Sequence, residues 1–520
     1  MKDLPIGIQT FRKIRTQDYL YIDKTGYFDS FIKGGYYFFS RPRRFGKSLL
    51  ISTLDALFQG QKELFEGLAV AKSGYEFPVH PVIRLDFSSI PNQSPGILEE
   101  EISLRLERIA RTHGLTLTGS VLAARFRNLI WDMSERGPVV ILIDEYDKPI
   151  LDHLDKPDIA DENRKKLREF YGVIKAMDEH LHLVFITGIT RFTKVSIFSE
   201  LNNLLDISHS VQYATLLGWT PGEMERDMKE HIATLAQSLG HSLEEMQAIL
   251  AKMYNGYRFS RAEDRVYNPW SVINAFRQQS IENFWYASGS SQFLMHELNR
   301  RLKESVVFRI RDLYNFRIQA DMLPTLDIRN AQLETLLFQA GYLTIKDTSG
   351  TTLDPYFHIG FPNREVEKSL LFALIGSLVP KTEGKADDHL NQLVRALHKE
   401  DLDGFFTLLR DAFFANIPYE LHLPFEKYYQ TVFHTLFLLL EIRIRSEEST
   451  NVGRIDGVLE TDNHIYIIEF KLNDSAENAL QQTRDKGYAQ KYRASGKKII
   501  CVGVNFAGRN IDSWVHEVID

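Results

Sequence analysis

The chain has 520 residues, of which 44% are hydrophobic and 25% are charged. This length exceeds what a single hydrophobic core usually supports, and the composition is that of a globular protein that folds throughout, so we predict several domains. The formal net charge of -7 excludes a protein that coats nucleic acid by bulk charge, although a local basic groove is compatible with it.

The N-terminus carries no apolar signal region, and no stretch of the sequence has the length needed to span a bilayer. We therefore expect a cytoplasmic protein without a membrane partner. The single cysteine, Cys501, cannot form an internal disulfide, and the histidines show no zinc-ligand spacing. Any metal would then be bound by carboxylates, which favours Mg²⁺ or Mn²⁺.

Four short apolar runs near the N-terminus are separated by helical patterns. The runs are 36–39, 82–87, 139–143 and 183–187. This alternation is typical of buried parallel strands in an α/β sheet. We predict that residues 1–215 form one α/β domain.

A phosphate-binding loop is predicted directly after the first of these runs, before a helix that should begin near Lys47. Backbone N–H groups and the helix N-terminus would face the phosphates, Lys47 would contact the β- and γ-phosphates, and Ser48 would bind Mg²⁺. Arg41 stands where the Walker A pattern has its first glycine, so the loop departs from that pattern. The expected ATP-binding residues of this loop are Arg43, Arg44, Phe45, Gly46, Lys47 and Ser48.

The next two apolar runs end in polar residues that complete an ATPase site. Asp144 would hold Mg²⁺, and Glu145 would polarise the attacking water. Thr187 is placed for a sensor role at the end of the following strand. Arg191 could reach the γ-phosphate, and a surface salt bridge is the alternative interpretation of this residue.

Residues 216–325 have a helical and polar pattern with interspersed aromatic residues, which predicts a helical lid. Residues 326–375 predict a helix over 330–340 and strands over 342–346 and 356–359. A winged-helix-like module and a generic α+β connector both fit this order, and the two alternatives stay open.

Six segments carry a resemblance to a known family. They are Tyr21-Ile22-Asp23-Lys24-Thr25, Arg41 to Ser48, Ile143-Asp144-Glu145-Tyr146-Asp147, Thr187-Gly188-Ile189-Thr190-Arg191, Tyr254 to Phe259 and Tyr267-Asn268-Pro269-Trp270. These segments resemble those of the prokaryotic AAA-ATPase-like proteins that carry a PD-(D/E)XK nuclease superfamily domain at their C-terminus. The resemblance implies a P-loop ATPase with an ASCE/AAA-like sheet, in which an additional strand accompanies a catalytic glutamate. The loop without its first glycine is similar to the family's own variant.

Residues 376–520 begin with a helical lead-in and end in strands that predict a second α/β domain. Asp456 lies in one predicted strand, and Glu469 and Lys471 lie in the next. In an antiparallel hairpin the two carboxylates can converge, and Glu469 and Lys471 share one face because side chains alternate along a strand. Two carboxylates and a lysine can bind a divalent metal and position a water for attack on a phosphodiester.

This spacing is the D…E-x-K signature of the PD-(D/E)XK fold, and the flanking segments have the order of that fold's core. Glu426 lies in a predicted amphipathic helix over 425–440, while Gln482 and Lys486 share one face of the predicted helix after the hairpin. The alternative is a hairpin whose charges face solvent. In the family, the matching positions are Asp456, Glu469 and Lys471, with Glu426 and Gln482 as accessory residues.

Two hypotheses on function follow from these motifs. The first is an enzyme in which ATP binding or hydrolysis controls a Mg²⁺- or Mn²⁺-dependent nuclease acting on DNA or RNA. The second is a nucleotide-gated switch whose nuclease-like domain only binds nucleic acid or a protein partner. Assembly into a homo-oligomer is compatible with either hypothesis.

Overall fold

The computed structural model describes most of the chain as two compact units. The described residues are 1–191, 201, 203–287, 313, 315–319, 332–351, 354–378, 386–416, 432–433, 436, 443–450, 453–508 and 510–519. The first unit comprises Met1–Leu294 and Phe316–Val366, and the second comprises Met295–Asn315 and Glu367–Asp520. No helix within the described ranges is both long enough and apolar enough to cross a bilayer.

The first unit is built on a parallel five-stranded sheet. Its strands are β1 (Gly35–Ser40), β2 (Val82–Asp86), β3 (Val139–Asp144), β4 (Leu181–Gly188) and β5 (Leu205–Asp206), in the order β2-β3-β4-β1-β5. Every residue of β3 is buried, as expected for a strand with helices on both faces. Since β4 lies between β1 and β3, the sheet has the additional strand of the ASCE/AAA-like class, and the predicted fold class is confirmed.

Seven helices accompany this sheet among the described residues. The longer ones present an apolar stripe to the core, as in the helix from Pro95 to Thr112, where Leu98, Ile102 and Leu106 are buried. The helices are α1 (Phe11–Thr16), α2 (Lys47–Phe58), α3 (Ala69–Lys72), α4 (Pro95–Thr112), α5 (Leu122–Ser134), α6 (Lys148–Leu151) and α7 (Pro157–Ala176).

The predicted lid is largely helical where the structure describes it. Its helices are α8 (Pro221–Asp227), α9 (Lys229–Leu239), α10 (Leu243–Tyr254), α11 (Pro269–Gln278) and α12 (Phe284–Ala287). Capping boxes at Thr220 and Ser242 and an Asn268 cap satisfy the first N–H groups of α8, α10 and α11. One strand, β6 (Phe316–Gln319), departs from the helical pattern expected for 216–325 and pairs with a later strand.

The segment after the lid is a helix followed by a hairpin, and it packs within the first unit. The elements are α13 (Leu333–Ala340), β7 (Thr344–Gly350) and β8 (Pro355–Gly360), and β8 lies between β6 and β7. β7 begins and ends later than expected, because Ser349 and Gly350 pair with β8 and the turn follows them. The Thr344 hydroxyl bonds to both the N–H and the carbonyl oxygen of Arg258, which joins the hairpin to the lid.

The second unit contains a mixed sheet. Three of its helices precede the strands in the chain, and one lies between the third and fourth strands. The helices are α14 (Arg364–Leu378), which starts in the first unit, α15 (Ala386–His398), α16 (Leu402–Leu408) and α17 (Ala476–Asp485). The strands are β9 (Arg443–Thr450), β10 (Gly453–Glu460), β11 (His464–Leu472), β12 (Lys498–Ala507) and β13 (Asn510–Ile519), in the order β13-β12-β11-β10-β9. The α/β prediction is confirmed, and the sequence analysis missed both edge strands, β9 and β13.

Candidate functional site

The segment between β1 and α2 has the backbone shape of a phosphate-binding loop. β1 ends at Ser40 and α2 begins at Lys47. Gly46 precedes the helix in the left-handed region, with φ at 96°, a value that costs glycine little. The chain therefore turns directly into α2, whose first N–H groups have no partner within the helix and can bind an anion.

Arg41, at the position of the missing glycine, is buried and bonded to the protein itself. Its guanidinium donates to the carbonyl oxygens of Ser40, Ser208 and Tyr213 at 2.9, 2.6 and 3.1 Å. It also lies between the rings of Phe39 and Phe259, 4.3 and 4.2 Å from their centres. Burial lowers the pKa of Arg41 to about 9, which leaves the group charged at neutral pH.

Lys47 lies inside the loop and is almost completely buried. Its ammonium donates to the carbonyl oxygens of Arg41 at 2.8 Å and Pro42 at 3.0 Å. Burial lowers the pKa of Lys47, while the carboxylates of Glu145 and Asp144 act in the opposite direction. The charges of Lys47, Asp144 and Glu145 are therefore close enough to interact.

The acids at the end of β3 lie in different surroundings. Asp144 is buried, and its Oδ1 accepts hydrogen bonds from the Thr187 hydroxyl at 2.5 Å and from the Glu145 N–H at 3.1 Å. Glu145 has a positive φ of 52°, which is uncommon outside glycine. Burial raises the pKa of its carboxyl, and Lys47 opposes that shift.

Arg191 is placed by a contact within the first unit. Its Nε lies 2.7 Å from Asp206 Oδ2, and both side chains are mostly buried. The Arg191 N–H donates to Gln339 Oε1 at 3.2 Å. This ion pair is the alternative that the sequence leaves open for Arg191, although it is less exposed than a surface salt bridge.

A cavity of about 530 Å³ adjoins the loop. Its lining includes Lys47, Ser48 and Glu145, together with Trp219 and Trp270 from the predicted lid. The Arg44 guanidinium lies 4.3 Å from the ring centre of Trp270, which places a loop cation against the lid.

Phe45 anchors the loop to the Tyr254 to Phe259 motif. Its ring meets Tyr257 edge-on with centres 4.7 Å apart, and Phe259 at 5.3 Å. Two aromatic residues of the Tyr254 to Phe259 motif therefore pack directly against the loop. Phe45, predicted as an ATP-binding residue, is buried among aromatic rings and also contributes to the cavity lining.

The second candidate site lies where β10 pairs with β11. Gly457 is opposite Ile468 in this antiparallel pair, so the neighbouring Asp456 and Glu469 lie on adjacent strands. The Phe470 N–H donates to Asp456 Oδ2 at 2.9 Å. Glu469 is buried, and burial together with the nearby Asp456 raises its pKa to about 8.

Gln482 on α17 bonds to both Glu469 and Lys471. Its amide N–H₂ group donates to Glu469 Oε1, and its carbonyl oxygen accepts from Lys471 Nζ at 2.6 Å. The structure therefore brings together Asp456, Glu469, Lys471 and Gln482. Glu426 lies outside the described residues. Lys486 is the cap residue of α17, and its N–H donates to the Gln482 carbonyl oxygen at 3.1 Å, so it continues the helical turn that Gln482 begins, as expected.

Two family models match the chain in the regions of these sites. A model described as Predicted AAA-ATPase matches residues 5–198, and a PD-(D/E)XK nuclease superfamily model matches residues 424–514. The chain is also 38% identical over 530 residues to "Uncharacterized protein in vnfD 5'region" of Azotobacter chroococcum mcd 1, with 99% of each chain covered. The chain belongs to the prokaryotic AAA-ATPase-like proteins with a C-terminal PD-(D/E)XK domain.

The nuclease-superfamily domain offers donors that suit a divalent cation. Glu469 Oε2 is buried and receives no hydrogen bond from any residue that the structure describes. A buried carboxylate oxygen without a donor carries a desolvation cost that a cation would offset. Asp456 and Glu469 are the residues that would hold it. Over the described ranges no cluster of three or more His, Cys, Asp or Glu side chains has metal-binding geometry.

Some residues of the AAA-ATPase-like domain were not singled out as site residues from the sequence. Asp147, at the end of the Ile143 to Asp147 motif, is fully buried and bonds to the turn after β4. Arg41 was noticed only as a departure from a pattern. A charged residue directly after a buried strand is a weak signal by itself, because most such residues face solvent.

Proposed function

We propose that this chain binds and hydrolyses ATP in its AAA-ATPase-like domain and cleaves DNA or RNA in its PD-(D/E)XK domain with a divalent metal, under the control of the ATP state. The observation that carries the nuclease proposal is the convergence of Asp456, Glu469 and Lys471 on one strand pair, with Gln482 bonded to the last two. A hairpin whose charges merely face solvent would not bury Glu469.

The shape and charge of the cavity beside the loop support ATP as the nucleotide. Lys47 and the α2 N-terminus supply positive charge for the phosphates, and Ser48 and Asp144 are the residues that would hold Mg²⁺. The cavity volume of about 530 Å³ suits a nucleotide-sized ligand, and Trp219 and Trp270 give it aromatic surface for a base.

Glu145 is the residue that we propose for orienting and polarising the attacking water. Its pKa is raised by burial, which makes the carboxylate a stronger base than a solvated one. Asp144 Oδ1 already accepts from two donors, the Thr187 hydroxyl and the Glu145 N–H, which fixes the side chain in place for a role at the metal. We propose the sensor role for Thr187, because its hydroxyl bonds to Asp144 from the neighbouring strand β4.

In the nuclease domain, each proposed role follows from the chemistry of the side chain. A bound divalent ion would stabilise the negative charge that develops on the phosphodiester. Asp456 and Glu469 would hold it, and loss of the Glu469 proton is favoured by the neighbouring Lys471. Lys471 is not a ligand for a hard cation, so we propose that its ammonium orients the attacking water.

The test separates the two activities within one protein. Lys47→Ala should lose ATP binding because the phosphates lose their main cation, whereas Asp456→Ala should lose Mn²⁺-dependent cleavage by at least about 100-fold and keep ATP hydrolysis. Calorimetry with ATP·Mg²⁺, phosphate release, and cleavage of labelled single- and double-stranded DNA and RNA would measure these effects. Each variant serves as the folding control for the other.

Two outcomes would contradict the proposal. Equal ATP affinity in the wild type and Lys47→Ala would remove the P-loop assignment. Cleavage that persists in Asp456→Ala, or no cleavage of any of the four polynucleotides by the wild type with Mg²⁺ or Mn²⁺ in any nucleotide state, would remove the nuclease and favour the nucleotide-gated switch.

A further inference from the structure

The turn after β4 is held by one carboxylate that has no role in the proposed chemistry. Asp147 Oδ2 accepts hydrogen bonds from the N–H of Ile189 at 2.9 Å, the N–H of Thr190 at 2.6 Å and the Thr190 hydroxyl at 2.7 Å. Asp147 is fully buried, so these bonds are not exchanged for bonds to bulk water.

The same turn is tightly packed against the segment after β3. A Cβ atom on Gly188 would lie 2.6 Å from the Tyr146 ring and 2.9 Å from Asp147 Oδ1, so the backbone approaches closely only because residue 188 is glycine. The Tyr146 hydroxyl also donates to the Thr190 carbonyl oxygen at 3.1 Å. The segment 146–147 therefore contacts the turn on two sides.

This turn continues directly from the residue that contacts the Walker B acid. The Thr187 hydroxyl donates to Asp144 Oδ1 at 2.5 Å, and the Thr187 carbonyl oxygen accepts from the Tyr146 N–H at 3.0 Å. Residues 187–190 are thus bonded at both ends to residues 144–147, which include Glu145. A displacement of the turn would move the Thr187 hydroxyl away from Asp144.

Asp147 does not need to be a carboxylate for local folding alone. Its Oδ1 is buried and accepts no hydrogen bond from the described part of the chain. Burial raises the pKa of Asp147, and the nearby Lys47 is among the groups that oppose this shift. An unsatisfied buried oxygen next to the loop lysine is a cost that a purely structural residue would avoid.

We propose that Asp147 is a positioning residue for ATP hydrolysis, which sets the place of Thr187 relative to Asp144 and Glu145. This inference rests on the proposed ATPase function. Geometry at a reacting centre affects the rate far more than ground-state binding, and a misplacement of about 1 Å can cost on the order of 100-fold. Loss of Asp147 should therefore lower kcat and leave nucleotide affinity nearly unchanged.

The experiment compares Asp147→Ala, which removes the acceptor, and Thr190→Ala with a matched control, Asp23→Ala. Asp23 accepts the same kinds of bonds, from the N–H and hydroxyl of Thr25 and the N–H of Ala69, none of which belongs to β3, β4 or the turn after β4. We expect kcat for ATP to fall at least about tenfold in Asp147→Ala and less in Thr190→Ala, which keeps both N–H donors, with ATP dissociation constants within about threefold of the wild type.

Circular dichroism establishes that the variants fold, and Thr190→Ala keeps the test valid if Asp147→Ala does not fold. Wild-type kcat in both Asp147→Ala and Thr190→Ala, or in Thr190→Ala alone where Asp147→Ala is unfolded, would overturn the inference and leave the ATPase in place. An equal fall in Asp23→Ala would also overturn it, because the loss would then follow general destabilisation. A wild-type chain that turns over no ATP would overturn the proposed function itself, and this inference with it.

Discussion

At the scale of single residues, Arg41 explains how the phosphate-binding loop exists without its first glycine. The side chain leaves the loop and bonds to carbonyl oxygens of residues 40, 208 and 213. Its charge is further stabilised by the rings of Phe39 and Phe259. Where the Walker A pattern has a glycine, this chain has an arginine whose hydrogen bonds join the end of β1 to the residues after β5.

Restoring the Walker A glycine should damage the protein. Arg41→Gly would remove the guanidinium donor from three carbonyl oxygens, two of them in buried contacts, and would remove two cation–π contacts, so we expect the free energy of unfolding to fall by about 3 to 5 kcal/mol. Urea unfolding followed by tryptophan fluorescence measures this loss. Arg12→Ala, at an exposed arginine on α1, is the control and should change stability by less than about 0.5 kcal/mol. A stable Arg41→Gly variant would contradict this account.

At the scale of elements, one buried acid joins the end of the lid to the start of α14. Glu365 Oε1 accepts from the Trp285 N–H at 2.8 Å, and the side chain also bonds to Ser271 at the start of α11. Glu365 is fully buried, and burial raises its pKa from 4.5 to about 7. Three helices therefore meet at a carboxyl group that binds a proton more tightly in the folded protein.

This shift predicts how stability depends on pH. Because the folded pKa is above the unfolded one, the stabilising contribution of the protonated group is complete below about pH 4.5 and is lost as the pH rises to about 7. The loss amounts to roughly 3 kcal/mol. Glu365→Gln, neutral at every pH, should be about that much less sensitive to pH between 4.5 and 7.5 in urea unfolding. Glu244→Gln, at an exposed position, is the control, and an identical slope in both variants would argue against the assignment.

At the scale of the whole molecule, the chain carries two candidate sites in two separate compact units. A ligand at one site changes activity at the other only if the chain has two arrangements that the ligand binds with different affinity. Arg44 of the loop contacts Trp270 at the start of α11, and we expect bound nucleotide to act on the helices of the predicted lid through this contact.

We expect nucleotide state to change the rate of polynucleotide cleavage by about fivefold or more, which is the lower end of typical coupling energies. Cleavage would be measured without nucleotide, with ADP, and with ATP in a Glu145→Gln variant that binds ATP but hydrolyses it slowly. Lys47→Ala, which should not bind ATP, is the control and should cleave at one rate in all three states. Equal rates in every nucleotide state for Glu145→Gln would mean two independent domains on one chain.

Local signals were enough to predict the elements that carry the two candidate sites. Gly46-Lys47-Ser48 after an apolar run predicts the loop and the start of α2, because glycine and the helix N-terminus act through adjacent residues. The alternation around Glu469 and Lys471 predicts a strand with both side chains on one face. The edge strands β9 and β13 were missed because neither segment carries a continuous apolar run.

The amino-acid sequence by itself determined the class of each domain, the central strands of each sheet and the chemical types available at each site, since these depend on local pattern and composition. Only the tertiary structure decided which partners those side chains meet. Arg41 donates to the carbonyl oxygens of residues 208 and 213, and Asp147 accepts from the N–H groups of residues 189 and 190. Such contacts join residues far apart in the chain, and only the folded arrangement of strands brings them within bonding distance.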